Sequence, residues 1–349
     1  MGASLPYRWV WACVLLGVAA GAVAAQSPSP PQSPAPFLPT APLVPPVNPA
    51  HPAYVPPGSD GPFWIDSAAL DPPGQELGWY AVAEAGLLKP HLSARLTTPG
   101  PLTSASPNPL FLGAAPLDWT GVPNLGLGYR FDRGAGELFV NYRLVASSGT
   151  ETVAGFDAAG AGLLKSRLNL NTVDIDYILP EFLGQDAAAA SPWFRRELRA
   201  GFGLRATSAF FDTVGNGAET LESKASSSFG GAGIHALFEY RQQIADRPLW
   251  LYTRMNTAGL LGKIRQQFAQ TTLTNGTGMV GGYDTGYLSN GMGQFGVEAG
   301  LSWADTIGGR NFRLTAAYTW ERWWDFGNTN QSNAELTLQG FVLRAELGF

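Results

Sequence analysis

Eight segments of this chain alternate apolar and polar residues at every second position. Successive side chains of a β-strand point to opposite faces, so this period predicts strands with one apolar and one polar face. Two architectures use such strands. A soluble sandwich turns the apolar face inward, and a membrane barrel turns it toward lipid. The segments are 125–131, 138–144, 173–179, 198–206, 234–240, 295–303, 312–320 and 341–349.

The scarcity of charged residues limits the classes of protein to which this chain can belong. Charged residues make up 14% of the chain, against roughly a quarter in a typical soluble domain. No stretch after residue 26 approaches the ~20 consecutive apolar residues of a membrane-spanning helix. The net charge of −5 argues against nucleic acid as a partner. The composition therefore favours an all-β secreted protein or a membrane β-barrel.

Three features favour the barrel over the sandwich. Aromatic residues such as Trp119, Trp303 and Trp320 lie near strand ends, where a membrane-interface girdle needs them. Of the 22 basic residues, 18 are Arg and 4 are Lys, although soluble sheets usually place Lys outside. The last strand also has the alternating ending that the insertion machinery of bacterial outer membranes reads. Its residues are Phe341, Leu343, Ala345, Leu347 and Phe349.

The predicted fold is all-β: a transmembrane antiparallel β-barrel of about 12 strands, with 10–14 accepted from the length of the alternating region. Residues 1–25 are predicted to be a signal peptide, which contains Cys13, the single cysteine. Residues 26–62 are predicted to be a disordered Pro-rich tether in the periplasm. Residues 63–349 form the predicted outer-membrane barrel. Its external loops are expected at 147–163, 212–227, 270–290 and 328–333.

Several strands carry a family resemblance. The run Leu168–Tyr177 (LNLNTVDIDY), followed in order by 199–205, 251–254, 295–301, the Trp320–Trp324 cluster and 338–345, resembles the Legionella-type major outer membrane proteins. That family consists of pore-forming barrels. The resemblance implies a pore-forming outer-membrane protein and identifies neither a solute nor a catalytic residue.

Signals for enzyme chemistry are weak. The three histidines are His51, His91 and His235, and none stands at metal-ligand spacing from another histidine. The triplet 284–286 (Asp-Thr-Gly) occurs once, among glycines, and is interpreted as a turn. We therefore predict no enzyme activity, no cofactor and no metal. An outer-membrane lipid hydrolase remains a weak alternative, because His91 alone lies near a strand end.

The predicted lumen-facing charges are the functional candidates. In a hydrated lumen such groups set the ion preference of a pore, and in a plugged barrel they pair across strands. The first interpretation predicts passive diffusion of small polar solutes or ions, and the alternative predicts a non-conducting structural or adhesive barrel. Expected partners are outer-membrane lipid, the barrel insertion machinery, the solutes and, as an open option, further copies of the chain. The candidates are Arg143, Arg199, Arg205, Arg241, Arg313, Arg344, Glu197, Glu239, Glu298 and Glu321.

Overall fold

The computed structural model describes most of the chain from Leu77 onward, and nearly all of it is strand. The predicted signal peptide and tether lie outside the described residues, so their assignments stay predictions. No helix among the described residues is long and apolar enough to cross a membrane. The described ranges are 77–104, 106–131, 135–157, 160–179, 196–217, 220–244, 247–274, 276–307, 310–329 and 332–349.

Twelve strands form one antiparallel sheet. They are β1 (Gly78–Thr103), β2 (Ser106–Gly113), β3 (Thr120–Arg130), β4 (Glu137–Asp157), β5 (Gly160–Ile178), β6 (Arg196–Asn216), β7 (Thr220–Gln243), β8 (Leu249–Thr274), β9 (Thr277–Asp284), β10 (Leu288–Ile307), β11 (Arg310–Trp324) and β12 (Asn333–Gly348).

Ten of these strands close a ring in the order β1, β3, β4, β5, β6, β7, β8, β10, β11, β12 and back to β1. β2 pairs only with the far part of β1, and β9 pairs only with the far part of β8. Two short strands in succession therefore pair along each of the two longest strands: β2 and β3 along β1, and β9 and β10 along β8. A closed ring satisfies backbone hydrogen bonds without free edges, which is what a membrane-crossing sheet requires. The predicted antiparallel barrel is confirmed.

The strands are much longer than a membrane requires. β1 and β8 each have 26 residues, whereas a tilted membrane strand needs about 9–11. We call the end that contains the start of β1 the proximal end, and the opposite end the distal end. Three predicted external loops (147–163, 212–227 and 270–290) are wrong as loops, because most of their described residues continue as paired strands. The fourth, predicted at 328–333, falls between β11 and β12, where the described residues 325–329 and 332 belong to neither strand.

The proximal half has the predicted arrangement of faces. Its outward residues are apolar and exposed, as Leu204, Ile234 and Phe341 illustrate with 62%, 73% and 63% of their surface accessible. Aromatic pairs border this apolar belt. Trp303 and Phe312 lie 6.0 Å apart between ring centroids near its proximal edge, and Phe295 and Trp320 lie 6.4 Å apart on its distal side. An outward apolar band between aromatic borders is the surface that a bilayer solvates.

The distal half reverses this arrangement. Its interior is a buried apolar cluster, so beyond the belt the barrel has a core like that of a soluble protein. The apolar face of the strands, expected to turn toward lipid, therefore turns inward in the distal half. The core explains why the long hairpins are ordered strands: their inward side chains bury apolar surface. Prominent members are Leu96, Leu112, Leu117, Leu168, Leu170, Phe211, Phe229, Ile264, Phe268, Phe326, Leu336 and Leu338.

Candidate functional site: the barrel interior

The structure places all ten predicted lumen residues inside the barrel. Eight of them have about a tenth or less of their surface exposed. Arg143 and Arg313 are the most accessible, with side chains 16% and 18% exposed. Each lies on a strand whose alternate residues face lipid, so the period of two places it inward. Every one of them takes part in an ion pair with another interior residue.

A proximal chain of alternating charges runs around the interior. Arg199 lies 2.6 Å from Glu137 and 3.4 Å from Glu239 between nitrogen and oxygen atoms. Arg241 contacts Glu239 and lies 3.4 Å from Glu197. The chain therefore neutralises its own charges in a buried environment, as isolated ions could not. In order, its members are Glu346, Arg130, Glu137, Arg199, Glu239, Arg241, Glu197 and Arg313.

Two ion pairs connect walls on nearly opposite sides of the ring. Arg143 on β4 donates two hydrogen bonds, of 2.6 and 2.7 Å, to the carboxylate of Glu321 on β11. Glu197 on β6 lies 3.5 Å from Arg313 on β11. In each pair, the two strands that carry the partners are four positions apart in the ring of ten strands. Side chains that meet from such strands lie across the lumen.

Arg344 and Arg205 form the centres of two further clusters at the level of the belt. Arg344 on β12 donates to Glu84 at 2.7 Å and to Glu298 at 3.1 Å. Arg205 on β6 donates to both carboxylate oxygens of Asp174, at 2.6 and 2.8 Å, and to the side-chain oxygen of Gln294 on β10 at 2.8 Å. Bidentate guanidinium–carboxylate pairs are strong and fixed in direction. They hold the interior side chains rigidly.

Asp174, Asp176 and His235 form a buried group with metal-ligand chemistry that the spacing of residues in the sequence did not indicate. Arg205 donates to His235 Nε2 at 3.1 Å, so the Nδ1–H of His235 donates to Asp176 at 2.8 Å. The guanidinium of Arg205 thus occupies the position next to Asp174 and His235 that a cation would take. The signal in the sequence was the inward pair Asp174 and Asp176 on one strand, although their partner on β7 could not be identified from it.

A segment we call the cap, described over residues 96–104 and 106–117, closes the distal interior. It comprises the far part of β1, β2 and the connection toward β3. The amide of Ala115 donates to Ser166 Oγ on β5 at 2.8 Å, and Thr103 Oγ lies 3.4 Å from Thr272 Oγ on β8. β5 and β8 are three and four positions from β1 in opposite directions around the ring. A segment that contacts both therefore lies across the opening.

The cap also approaches the opposite hairpin closely. A Cβ atom added to Gly281 on β9 would lie 2.0 Å from the carbonyl oxygen of Leu102. Only glycine permits this contact between backbones.

A cavity of about 50 Å³ lies within the proximal interior, beside Tyr80, Phe139, Arg199, Glu239 and Arg344. This space is far smaller than the roughly 300–1,000 Å³ of small-molecule sites.

The triplet at 284–286 forms a turn beyond the belt, as interpreted from the sequence. The amide of Gly286 donates to Asp284 Oδ1 at 2.9 Å, and Gly286 has a φ of 65°. Hydrogen bonds from Arg265 hold the pKa of the Asp284 carboxyl well below its ordinary value. The carboxylate is thus engaged by a guanidinium within the turn.

The C-terminal strand presents the predicted insertion residues to the outside. Phe341, Leu343, Leu347 and Phe349 are 63%, 51%, 39% and 55% exposed, and Ala345 lies on the same face. β12 pairs with β1 from Tyr80–Gly348 to Arg95–Asn333 and so closes the ring. These side chains lie on the lipid-facing surface at the seam.

The closed ring, the outward apolar belt and the charged interior together define a transmembrane β-barrel of the outer-membrane type. Comparisons with models of protein families and with curated proteins find no match. Among solved structures, the outer membrane protease OmpT from Escherichia coli is similar over 77% of this chain and 95% of its own, with 12% identity and a TM-score of 0.39. Neisserial surface protein A (78% and 97%, 13% identity, TM-score 0.24) and a Pseudomonas aeruginosa FadL homologue (78% and 89%, 10% identity, TM-score 0.22) are also similar.

Such low identities and TM-scores carry no argument about activity. The expected absence of enzyme activity stays a prediction.

Proposed function

We propose that this chain is a non-conducting outer-membrane barrel that anchors a rigid distal extension for a structural or adhesive role. The observation that carries the proposal is the Arg143–Glu321 pair, which joins nearly opposite walls at belt level. The cap supports it with a second closure farther along the lumen. Passive diffusion of polar solutes or ions stays a prediction that the experiment below also tests.

The energy needed to open the lumen supports a closed state. Bidentate guanidinium–carboxylate hydrogen bonds such as those from Arg143 to Glu321 are among the stronger ones in proteins. A continuous hydrated path would have to separate the Arg143–Glu321 and Glu197–Arg313 pairs and displace the cap as well. An open state that requires all three changes is a small minority of the population.

The distal half supports the structural or adhesive role. On β8 the segment from Lys263 to Thr274 continues beyond the belt, and at about 3.3 Å per residue it adds on the order of 40 Å of strand. Its inward side chains Ile264 and Phe268 are 1% and 4% exposed, so the extension has its own core. A packed extension of this kind presents a fixed surface, as a scaffold or adhesin requires.

Conductance of the purified full-length protein in a planar lipid bilayer tests the proposal. We expect no discrete current steps from protein whose insertion is shown independently by protease protection. A variant that combines Arg143→Ala, Glu321→Ala and Arg313→Ala with removal of the cap is expected to conduct, because both cross-lumen ion pairs and the cap are lost. Steps from the unmodified protein that scale with salt concentration would instead establish an open pore.

Several expectations from the sequence remain predictions beside this proposal. They are membership of the Legionella-type major outer membrane protein family, recognition of the last strand by the insertion machinery, self-association, and the periplasmic position of the tether.

A further inference from the structure

On the outer surface of the neighbouring strands β10, β11, β12 and β1, the paired residues form rows that run across all four strands. The pairing register places Leu87, Phe341, Tyr318 and Ala299 in one row of outward side chains. One step toward the distal end, the row is Lys89, Gln339, Trp320 and Val297, and the next is His91, Thr337, Arg322 and Phe295. The surface therefore changes from apolar to polar and cationic within two rows.

An open groove lies in the apolar part of this surface. Small side chains at Ala85, Ala299 and Ala316 form its floor, and larger neighbours such as Leu87 and Phe341 form its sides. Its volume is about 680 Å³, within the range of roughly 300–1,000 Å³ that small-molecule sites occupy. Tyr318 and Phe341 meet edge to face at 5.3 Å and form the groove's distal wall.

A cationic patch, which we define as Lys89, Arg95 and Arg322 together with the neighbouring imidazole of His91, borders the groove on its distal side. Within the described chain, Lys89 and His91 have no carboxylate within ion-pair distance, and Glu335 is the acidic residue that pairs with Arg322. Arg95 lies 4.7 Å above the ring of Phe111, and Arg322 lies 5.8 Å from that of Trp324. These ring contacts hold both guanidinium groups at the edge of the belt.

We propose that the groove and the cationic patch together bind one phosphorylated lipid of the distal leaflet. The groove takes an acyl chain, because it is apolar and lies within the belt. The patch takes the phosphate, because Lys89 is a cation with no carboxylate partner among the described residues and lies, with Arg322 in the next outward row, where lipid head groups begin. Gln339 and Thr337 stand between the cations and supply neutral hydrogen-bond donors for phosphate or sugar oxygens.

Native mass spectrometry of the full-length protein in detergent, titrated with phosphatidic acid, tests this site. We expect one phosphatidic acid to bind in preference to phosphatidylcholine with the same acyl chains. Lys89→Gln and Arg322→Gln should each weaken binding roughly fivefold, since a cation near a lipid surface contributes about 1 kcal/mol. Ala316→Trp or Ala85→Leu, which fill the groove without changing charge, should also weaken it.

Lys224→Gln is the matched control. Lys224 is also exposed on the outer face, but lies on β7 away from the groove, so its loss should leave binding unchanged. Equal effects of Lys224→Gln and Lys89→Gln would overturn the proposal in favour of unspecific charge attraction. Unimpaired binding by both groove variants would overturn it too, as would displacement of the lipid by inorganic phosphate alone.

Discussion

Replacing Arg199 by methionine is expected to lower the free energy of unfolding by about 3–5 kcal/mol, the usual effect of breaking a buried ion pair. Arg199 is 8% exposed and lies between Glu137 and Glu239. Methionine has a similar length but no charge, so the buried carboxylates of Glu137 and Glu239 each lose one of their two guanidinium partners and keep only Arg130 and Arg241 respectively. Equilibrium unfolding in urea, followed by tryptophan fluorescence in detergent, measures the change.

Arg196→Met is the matched control for this prediction. Arg196 lies three residues earlier on β6 and is exposed, so its replacement should change stability by no more than about 0.5 kcal/mol. Adding Glu137→Gln and Glu239→Gln to Arg199→Met should restore part of the lost stability, because the carboxylates no longer need a cation. A loss below about 1 kcal/mol for Arg199→Met would show that the charge chain does not hold the interior together.

Phe211→Ala is expected to remove about 3–5 kcal/mol of stability, as large-to-small changes of aromatic core residues do. Phe211 is 1% exposed and stacks on Phe326 with ring centroids 5.7 Å apart. Its loss would leave a cavity in the distal core. Hydrogen exchange should then show faster opening of the distal parts of β6 and β7, while the belt segments stay protected.

The adjacent residue provides the comparison. Phe210 carries the same side chain on the outer face of the same strand and is 38% exposed. We expect Phe210→Ala to change stability by about 0.5 kcal/mol or less. Similar losses from the two variants would contradict the assignment of an apolar interior to the distal half.

The sequence by itself determined which side chains share a face. Period two is a property of the extended backbone, so the inward position of Arg143, Arg205 and Glu298 and the outward position of Phe341 could be predicted from alternation alone. The low content of charge and the aromatic residues at strand ends identified the outward face of the proximal half as apolar and lipid-facing.

Only the tertiary structure decided which interior side chains meet. Alternation assigns residues to a face, but it does not give the stagger of strands or the distance between opposite walls, which depend on how the ring closes. Contacts such as Arg143–Glu321, 178 residues apart, therefore could not be predicted. Nor could the reversal of faces in the distal half, because an inward apolar strand and an outward apolar strand have the same period. Whether Leu168 and Phe211 meet lipid or each other depends on where the belt ends, and that level is set by the assembled barrel.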